Sequence, residues 1–113
     1  MKRILTVTLL SLLVTSPVWA GRSKLIHSNV TVGTTSIQVI ATNTSRDFLL
    51  LQNDSANNDM YSMINNPAVV NQGIRLNQGG GSILLDAQWS IGQVNCIATA
   101  ANGTFLGTEG VGP

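Results

Sequence analysis

The chain has 113 residues, with six basic and five acidic side chains, one histidine and one cysteine. This length suits one domain rather than several. The near-balanced charge argues against a nucleic-acid-binding protein, which needs a basic face, and against a basic surface for anionic membranes.

The first twenty residues have the pattern of a secretory signal peptide. Lys2 and Arg3 supply the basic start, and an apolar run follows at residues 4–14. This run is well short of the roughly 20 residues that a helix needs to cross a bilayer. The pattern therefore predicts export through the inner membrane, with membrane contact only through the signal peptide during export.

Cleavage is predicted between Ala20 and Gly21, because Val18 and Ala20 are small side chains at the positions that a signal peptidase inspects. An uncleaved membrane anchor is the alternative. Cleavage would leave one domain at residues 21–113 and remove two of the six basic residues. Four basic and five acidic residues would remain, which gives a net charge of −1.

Short apolar or alternating runs separated by clusters of Asn, Gly, Asp and Ser dominate the rest of the chain, which is typical of an all-β domain. Eight strands are predicted, at residues 27–32, 36–41, 48–52, 60–64, 73–76, 82–85, 94–100 and 104–109. Their number and spacing favour a single small antiparallel sandwich or a jelly-roll-like barrel. The continuous apolar run at 48–51 predicts a strand covered on both faces, by this chain or by another copy of it.

Two turns are predicted to close hairpins. Residues 77–81 contain three consecutive glycines, and residues 101–103 contain Asn-Gly, a strong turn signal. At the ends of the domain, residues 21–28 are predicted to form a flexible arm and residues 110–113 a loose tail.

The sequence offers few groups for catalysis, and neither an enzyme nor a cofactor is predicted. His27 is the single histidine, and the acidic residues lie in no recognisable catalytic motif. The loop at 53–59 is dense in oxygen ligands, which calcium favours. However, Asn and Asp also dominate ordinary turns, so a solvated turn without metal is the prediction.

A ligand or glycan site is the competing hypothesis for this part of the chain. Two aromatic side chains with polar tips, Tyr61 and Trp89, would act together with the polar loop. The loop residues predicted for this site are Asp54, Asn57, Asn58 and Asp59.

Cys96 has no cysteine partner in its own chain. A small buried residue in a strand is the favoured interpretation. An intermolecular disulfide is the alternative, since export would place this thiol in an oxidising compartment.

Most of the domain resembles small β-sandwich proteins encoded in bacteriophage structural operons. The segments that carry the resemblance are VGTTSIQVI at 32–40, NTSRDFLLLQNDS at 43–55, GIRL at 73–76 and GGGSI at 79–83. The resemblance implies a virion-surface, decoration or fibre-associated module that contacts itself or other virion or envelope proteins. It also implies structural roles for Arg46, which would fasten a turn, and for Asn53, which would close a strand.

The prediction is thus an exported, non-enzymatic structural or surface-interaction module, either virion-associated or derived from a phage. Coat proteins of tailed phages carry no signal peptide. The role that the resemblance implies is therefore restricted to a component of a particle assembled at the envelope or to an exported relative of such a protein. The protein would be periplasmic, secreted or part of a virion. The alternative is a periplasmic or secreted ligand- or glycan-binding module.

Overall fold

The computed structural model describes residues 24–86 and 91–112, and these residues form eight β-strands. The strands are β1 (Lys24–Val32), β2 (Ile37–Ile40), β3 (Arg46–Asn53), β4 (Met60–Ile64), β5 (Ile74–Leu76), β6 (Ser82–Asp86), β7 (Val94–Ala98) and β8 (Gly103–Val111). Each corresponds to a predicted strand, so the all-β prediction is confirmed. The predicted signal peptide, its cleavage site at Ala20 and Gly21, and Trp89 lie outside the described residues.

The strands form two antiparallel sheets of four strands each. We call the sheet with the order β1-β8-β3-β6 the front sheet, and the sheet with the order β2-β7-β4-β5 the back sheet. Consecutive strands alternate between the two sheets, except for β4 and β5, which pair directly. This is the connectivity of a jelly roll, one of the two predicted arrangements.

Both predicted hairpins are wrong, although their turns form. Gly79 and Gly80 have φ values of 78° and 105°, and Asn102 has a φ of 64°. However, the turn at 77–81 leads from the back sheet to the front sheet, and so does the turn at 101–103. A local turn signal fixes the backbone of the turn, whereas the partner of the next strand depends on which sheet buries its apolar side.

The hydrophobic core lies between the two sheets. Burial alternates along β3, where Leu49 and Leu51 are fully buried and Phe48 and Leu50 on the opposite face are half-buried. Each fully buried leucine contributes about 1.5–3 kcal/mol of hydrophobic free energy. The core cluster consists of Val32, Val39, Ile40, Leu49, Leu51, Met60, Leu76, Val94, Cys96, Ala98 and Phe105.

The predicted arm and tail are partly wrong. Residues 24–28 belong to β1, because they pair residue by residue with the end of β8. At the other end, Gly110 and Val111 continue β8, and the Gly112 N–H donates to the Ser45 carbonyl oxygen at 2.7 Å. The two ends of the described chain therefore stabilise each other across the front sheet.

Candidate functional site

The polar loop at 53–59 is fastened from within by Asn53, which is fully buried at the end of β3. Its Nδ2 donates to the carbonyl oxygens of Asn58 at 2.6 Å and Leu76 at 2.9 Å. Its Oδ1 accepts from the Ser55 N–H at 2.9 Å. Asn53 therefore closes the strand, which is the structural role predicted for it.

Two of the predicted binding residues in this loop also serve the fold. Asn58 is buried, and its Nδ2 donates to the Ala101 carbonyl oxygen at 2.9 Å. Asp59 accepts from the Gln78 N–H at 2.9 Å and from the Arg75 guanidinium at 2.8 Å. The Gln78 hydrogen bond first, and then the Arg75 hydrogen bond and charge, hold the pKa of Asp59 below its ordinary value.

The remaining loop residues, Asp54 and Asn57, are exposed. Within residues 24–86 and 91–112, no three His, Cys, Asp or Glu side chains are grouped in a way that would hold a metal ion. The same residues contain no helix long and apolar enough to cross a membrane.

Tyr61 does not form an open platform for a sugar. It lies on the outer side of β4 and is only 6% exposed. Its hydroxyl donates to Asn71 Oδ1 at 2.9 Å, and the Arg75 guanidinium lies 5.9 Å from the ring centre. Since Trp89 is outside the described residues, the structure does not bring the two predicted aromatic residues together.

The β4–β5 loop, residues 65–73, explains why Tyr61 is buried. Asn95 of β7 donates to the Asn66 carbonyl oxygen at 2.7 Å, and the buried Ala68 donates its N–H to Ser36 Oγ at 2.8 Å. Together with the Tyr61–Asn71 bond, these contacts fix the loop against the outer side of the back sheet. The chain thus covers the part of this outer side around Tyr61 and Asn95 itself.

The outer side of the front sheet is different. Alternation along its strands places five large apolar side chains there, and we call this set the open face: Leu25, Phe48, Leu50, Leu84 and Leu106. Leu25 is 57% exposed and Leu84 is 60% exposed, while the other three are half-buried. No described residue outside the front sheet forms a layer over them comparable to the β4–β5 loop.

The register of the front sheet makes the open face continuous. Leu50 and Leu84 are direct cross-strand partners. Phe48 lies opposite Gly110, and its ring covers this glycine, where an added Cβ would clash with the ring. Leu25 pairs with the same Gly110 from the other side, so Gly110 lies between the two apolar side chains.

The inner side of the front sheet contains a buried ion pair. Arg46 donates from Nε to Glu109 Oε1 at 2.8 Å, and both side chains are almost fully buried. Its other nitrogens donate to the carbonyl oxygens of Gly92 at 3.0 Å and Ala41 at 2.6 Å. Arg46 therefore fastens two connections to the sandwich, which agrees with the role that the motif implies.

Cys96 is fully buried in the core, on the inner side of β7. Its Sγ lies 2.9 Å from Ser62 Oγ. Burial raises the pKa of the thiol to about 11, although the hydrogen bond to Ser62 acts in the opposite direction. The position supports the prediction of a packed core residue, and an intermolecular disulfide would require the sandwich to open.

The single histidine and two of the acidic residues have side-chain partners. His27 is exposed on β1, and its Nδ1 lies 3.0 Å from Thr108 Oγ1. Glu109 is paired with Arg46, and Asp59 with Arg75. The sequence missed three residues of the open face, Leu25, Leu84 and Leu106, whereas Phe48 and Leu50 belong to the apolar run that was predicted to be covered.

No family model and no curated protein matches this chain. Among solved structures, the chain is similar to a protein of the Bacillus endospore appendages, which are described as a novel family of disulfide-linked pili. The two chains are 16% identical, the similarity covers 92% of this chain and 98% of the other, and the TM-score is 0.42. These values do not assign this chain to that family.

Proposed function

We propose that this protein is an exported, non-enzymatic structural module that assembles through its open face with other copies of itself or with other envelope or virion proteins. The observation that carries the proposal is the difference in cover between the two sheets. Contiguous apolar side chains left exposed at a protein surface are typical of interaction sites.

The size of the front sheet is compatible with this role. Four strands about 4.8 Å apart and up to nine residues long, at about 3.3 Å per residue, present roughly 500 Å². A standard interface buries about 800 Å² on each partner, so the open face with its surrounding residues supplies most of one side.

The residues around the open face are polar but contain little charge. Asn29, Gln52, Ser82 and Thr108 face the same way as the five apolar side chains, and so do His27 and the charged Asp86, which is the cross-strand partner of Phe48. An apolar centre surrounded by polar groups with little charge is the usual composition of a protein–protein interface.

The place of assembly follows from the sequence patterns. The signal peptide pattern supports export, and the phage-like segments support a particle assembled at the envelope. An exported relative of such a protein, which works in the periplasm or outside the cell, fits the same two patterns.

The test is recovery of the exported protein in sedimentable particles or envelope assemblies. Leu84→Lys places a charge in the open face, and we expect it to leave the folded protein in the soluble fraction. Val70→Lys is the matched control, since Val70 is 38% exposed in the β4–β5 loop on the opposite side of the sandwich. A wild-type protein absent from every assembly, or a Leu84→Lys variant incorporated as well as wild type, would contradict the proposal.

A further inference from the structure

The front sheet ends on one side at β1, an edge strand without the usual protection. β1 is nine residues long, and all nine pair with β8 without a bulge. Its one formally charged side chain is Lys24, at its first position. Proteins usually protect edges by short strands, charges, proline, bulges or cover, because a free edge pairs readily with another strand.

The other edge strands have this protection. β5 has three residues, and β2 has four residues and an irregularity between Gln38 and Ile40. β6 has five residues and ends at Asp86. Among the described strands, β1 is therefore the edge best suited to accept a partner strand.

The register shows which backbone groups of β1 face outward. Thr104 of β8 accepts a hydrogen bond from the Asp54 N–H, on the β3 side. Because successive residues of a strand bond to opposite neighbours, the odd-numbered residues of β8 bond to β1. Their partners are the even-numbered residues of β1, so Leu25, His27, Asn29 and Thr31 direct their N–H and C=O groups to the free edge.

The start of β1 also exposes apolar side chains on both of its faces. Leu25 is 57% exposed on the open face. Ile26 shares the inner face with Val30 and Val32, yet it is 39% exposed, whereas Val32 is fully buried. A neighbouring strand at this edge would cover part of both side chains.

We propose that β1 pairs antiparallel with β1 of a second copy of this chain, about a two-fold axis at Ser28. This register matches Leu25 with Thr31 and His27 with Asn29 of the second copy. All four residues with free backbone groups then find partners, and eight hydrogen bonds form, two for each of the four pairs. A shift of the axis by one residue, to His27, leaves one of the four unpaired and places the two His27 side chains opposite each other.

The same register also brings apolar side chains together on the inner face of the two β1 strands. Ile26 lies beside Val30 of the second copy, and both are apolar side chains that the single chain leaves partly exposed. Two front sheets would join into one sheet of eight strands, with the two open faces side by side. The inference rests on the proposed function and names its partner, a second copy.

A cysteine on the axis tests the register directly. Ser28 would face Ser28 of the second copy as a non-hydrogen-bonded pair with Cα atoms about 4.5 Å apart. This separation is within the range of about 4.4–6.8 Å that a disulfide requires. The native Cys96 is buried and does not interfere.

The experiment compares Ser28→Cys with Ser82→Cys in the exported protein, by non-reducing gel electrophoresis after mild oxidation. Ser82 lies on β6, at the opposite edge of the same sheet, and is exposed. We expect Ser28→Cys to give mostly a disulfide-linked dimer and Ser82→Cys to stay mostly monomeric. Equal cross-linking of the two variants would overturn the proposal.

A second variant tests the backbone bonds. Asn29→Pro removes an N–H that faces the free edge and leaves the bonds to β8 in place, since proline is tolerated where a strand's N–H faces solvent. We expect light scattering to give a dimer for wild type and Asn29→Ala, and a folded monomer for Asn29→Pro. A dimeric Asn29→Pro, or a wild type that is monomeric at all concentrations, would overturn the proposal.

The experiments distinguish a failure of the proposed function from a failure of the β1 pairing. A Ser28→Cys dimer from a protein that never enters an assembly contradicts the proposed function and supports the β1 pairing. A wild type recovered in assemblies, whose Ser28→Cys variant does not cross-link, supports the proposed function and overturns the β1 pairing.

Discussion

The outer sides of the two sheets differ in how the chain treats them. On the back sheet, the β4–β5 loop lies over Tyr61. The loop is fixed by hydrogen bonds to three side chains outside it, those of Tyr61, Ser36 and Asn95. On the front sheet, Leu25 and Leu84 remain more than half exposed.

Covering the outer side of a sheet with a loop has a cost in free energy, because the loop must be ordered. Ordering the nine residues of the β4–β5 loop costs about 1–2 kcal/mol of backbone entropy per residue, which the contacts of the loop must offset. Among the described residues, such a cover lies over the back sheet and none lies over the front sheet. An apolar surface without such a cover is available to another chain, which is the basis of the proposed function.

The largest expected effect concerns the two arginines, one in each sheet. Arg46→Ala leaves the Glu109 carboxylate buried without its partner and should lower the free energy of unfolding by about 3–5 kcal/mol. Arg75→Ala removes an ion pair with Asp59 whose arginine side chain is 57% exposed, and should cost about 0–1 kcal/mol. Urea unfolding of both variants measures the difference, and equal losses would show that the burial of the Arg46 pair does not matter.

The next prediction separates the two faces of the front sheet. Leu51→Ala leaves a cavity in the core and should lower the free energy of unfolding by about 2–5 kcal/mol. Leu84→Ala truncates an exposed side chain of the open face and should change it by less than about 0.5 kcal/mol. Thermal unfolding of dilute protein is the measurement, and a large loss for Leu84→Ala would mean that the open face is already part of a core.

A smaller effect is expected from the cover of the back sheet. Tyr61→Phe removes the hydroxyl that bonds to Asn71 and should cost about 1 kcal/mol. Limited proteolysis should then cut the β4–β5 loop faster than in wild type.

A double-mutant cycle with Asn71→Gly isolates this bond, and glycine is chosen because Asn71 has a φ of 67°. The double variant should cost less than the two single changes added together. Simple additivity would show that the Tyr61–Asn71 bond does not hold the loop.

The smallest effect is the pH dependence due to Asp59. Its pKa in the folded protein is lower than the ordinary 3.8, so the unfolded chain binds the proton more tightly. Its contribution to stability is therefore complete above pH 3.8 and is lost as the pH falls through the lowered pKa of the folded state. Denaturant midpoints across this acidic range should fall less steeply for Asp59→Asn than for wild type, and an unchanged slope would contradict this role.

Much of the fold was predictable because it depends on local properties. The alternation and the turn residues located all eight strands, and the glycine run at 79–81 marked a turn that needs positive φ. The prediction that Arg46 and Asn53 are structural agrees with their hydrogen bonds, although the partners Glu109, Gly92 and Leu76 lie in distant segments that the sequence did not identify.

The site was less predictable. The competing ligand-site hypothesis placed Tyr61 at an open site, yet the β4–β5 loop buries it, because one sequence cannot show where a loop of nine residues returns. The open face was not predicted as a set, since its members come from four strands that only the register brings together.

The sequence alone determined the class of fold and the positions of the strands, because period-two alternation and turn chemistry act over a few residues. It favoured the burial of Cys96 without excluding an intermolecular disulfide. Only the tertiary structure decided that the turns at 77–81 and 101–103 cross between sheets instead of closing hairpins. It also decided that the β4–β5 loop covers the back sheet, while the described residues leave Leu25 and Leu84 of the front sheet exposed. Strand partners and loop positions depend on burial summed over the whole sandwich, and that sum is not encoded in any single segment.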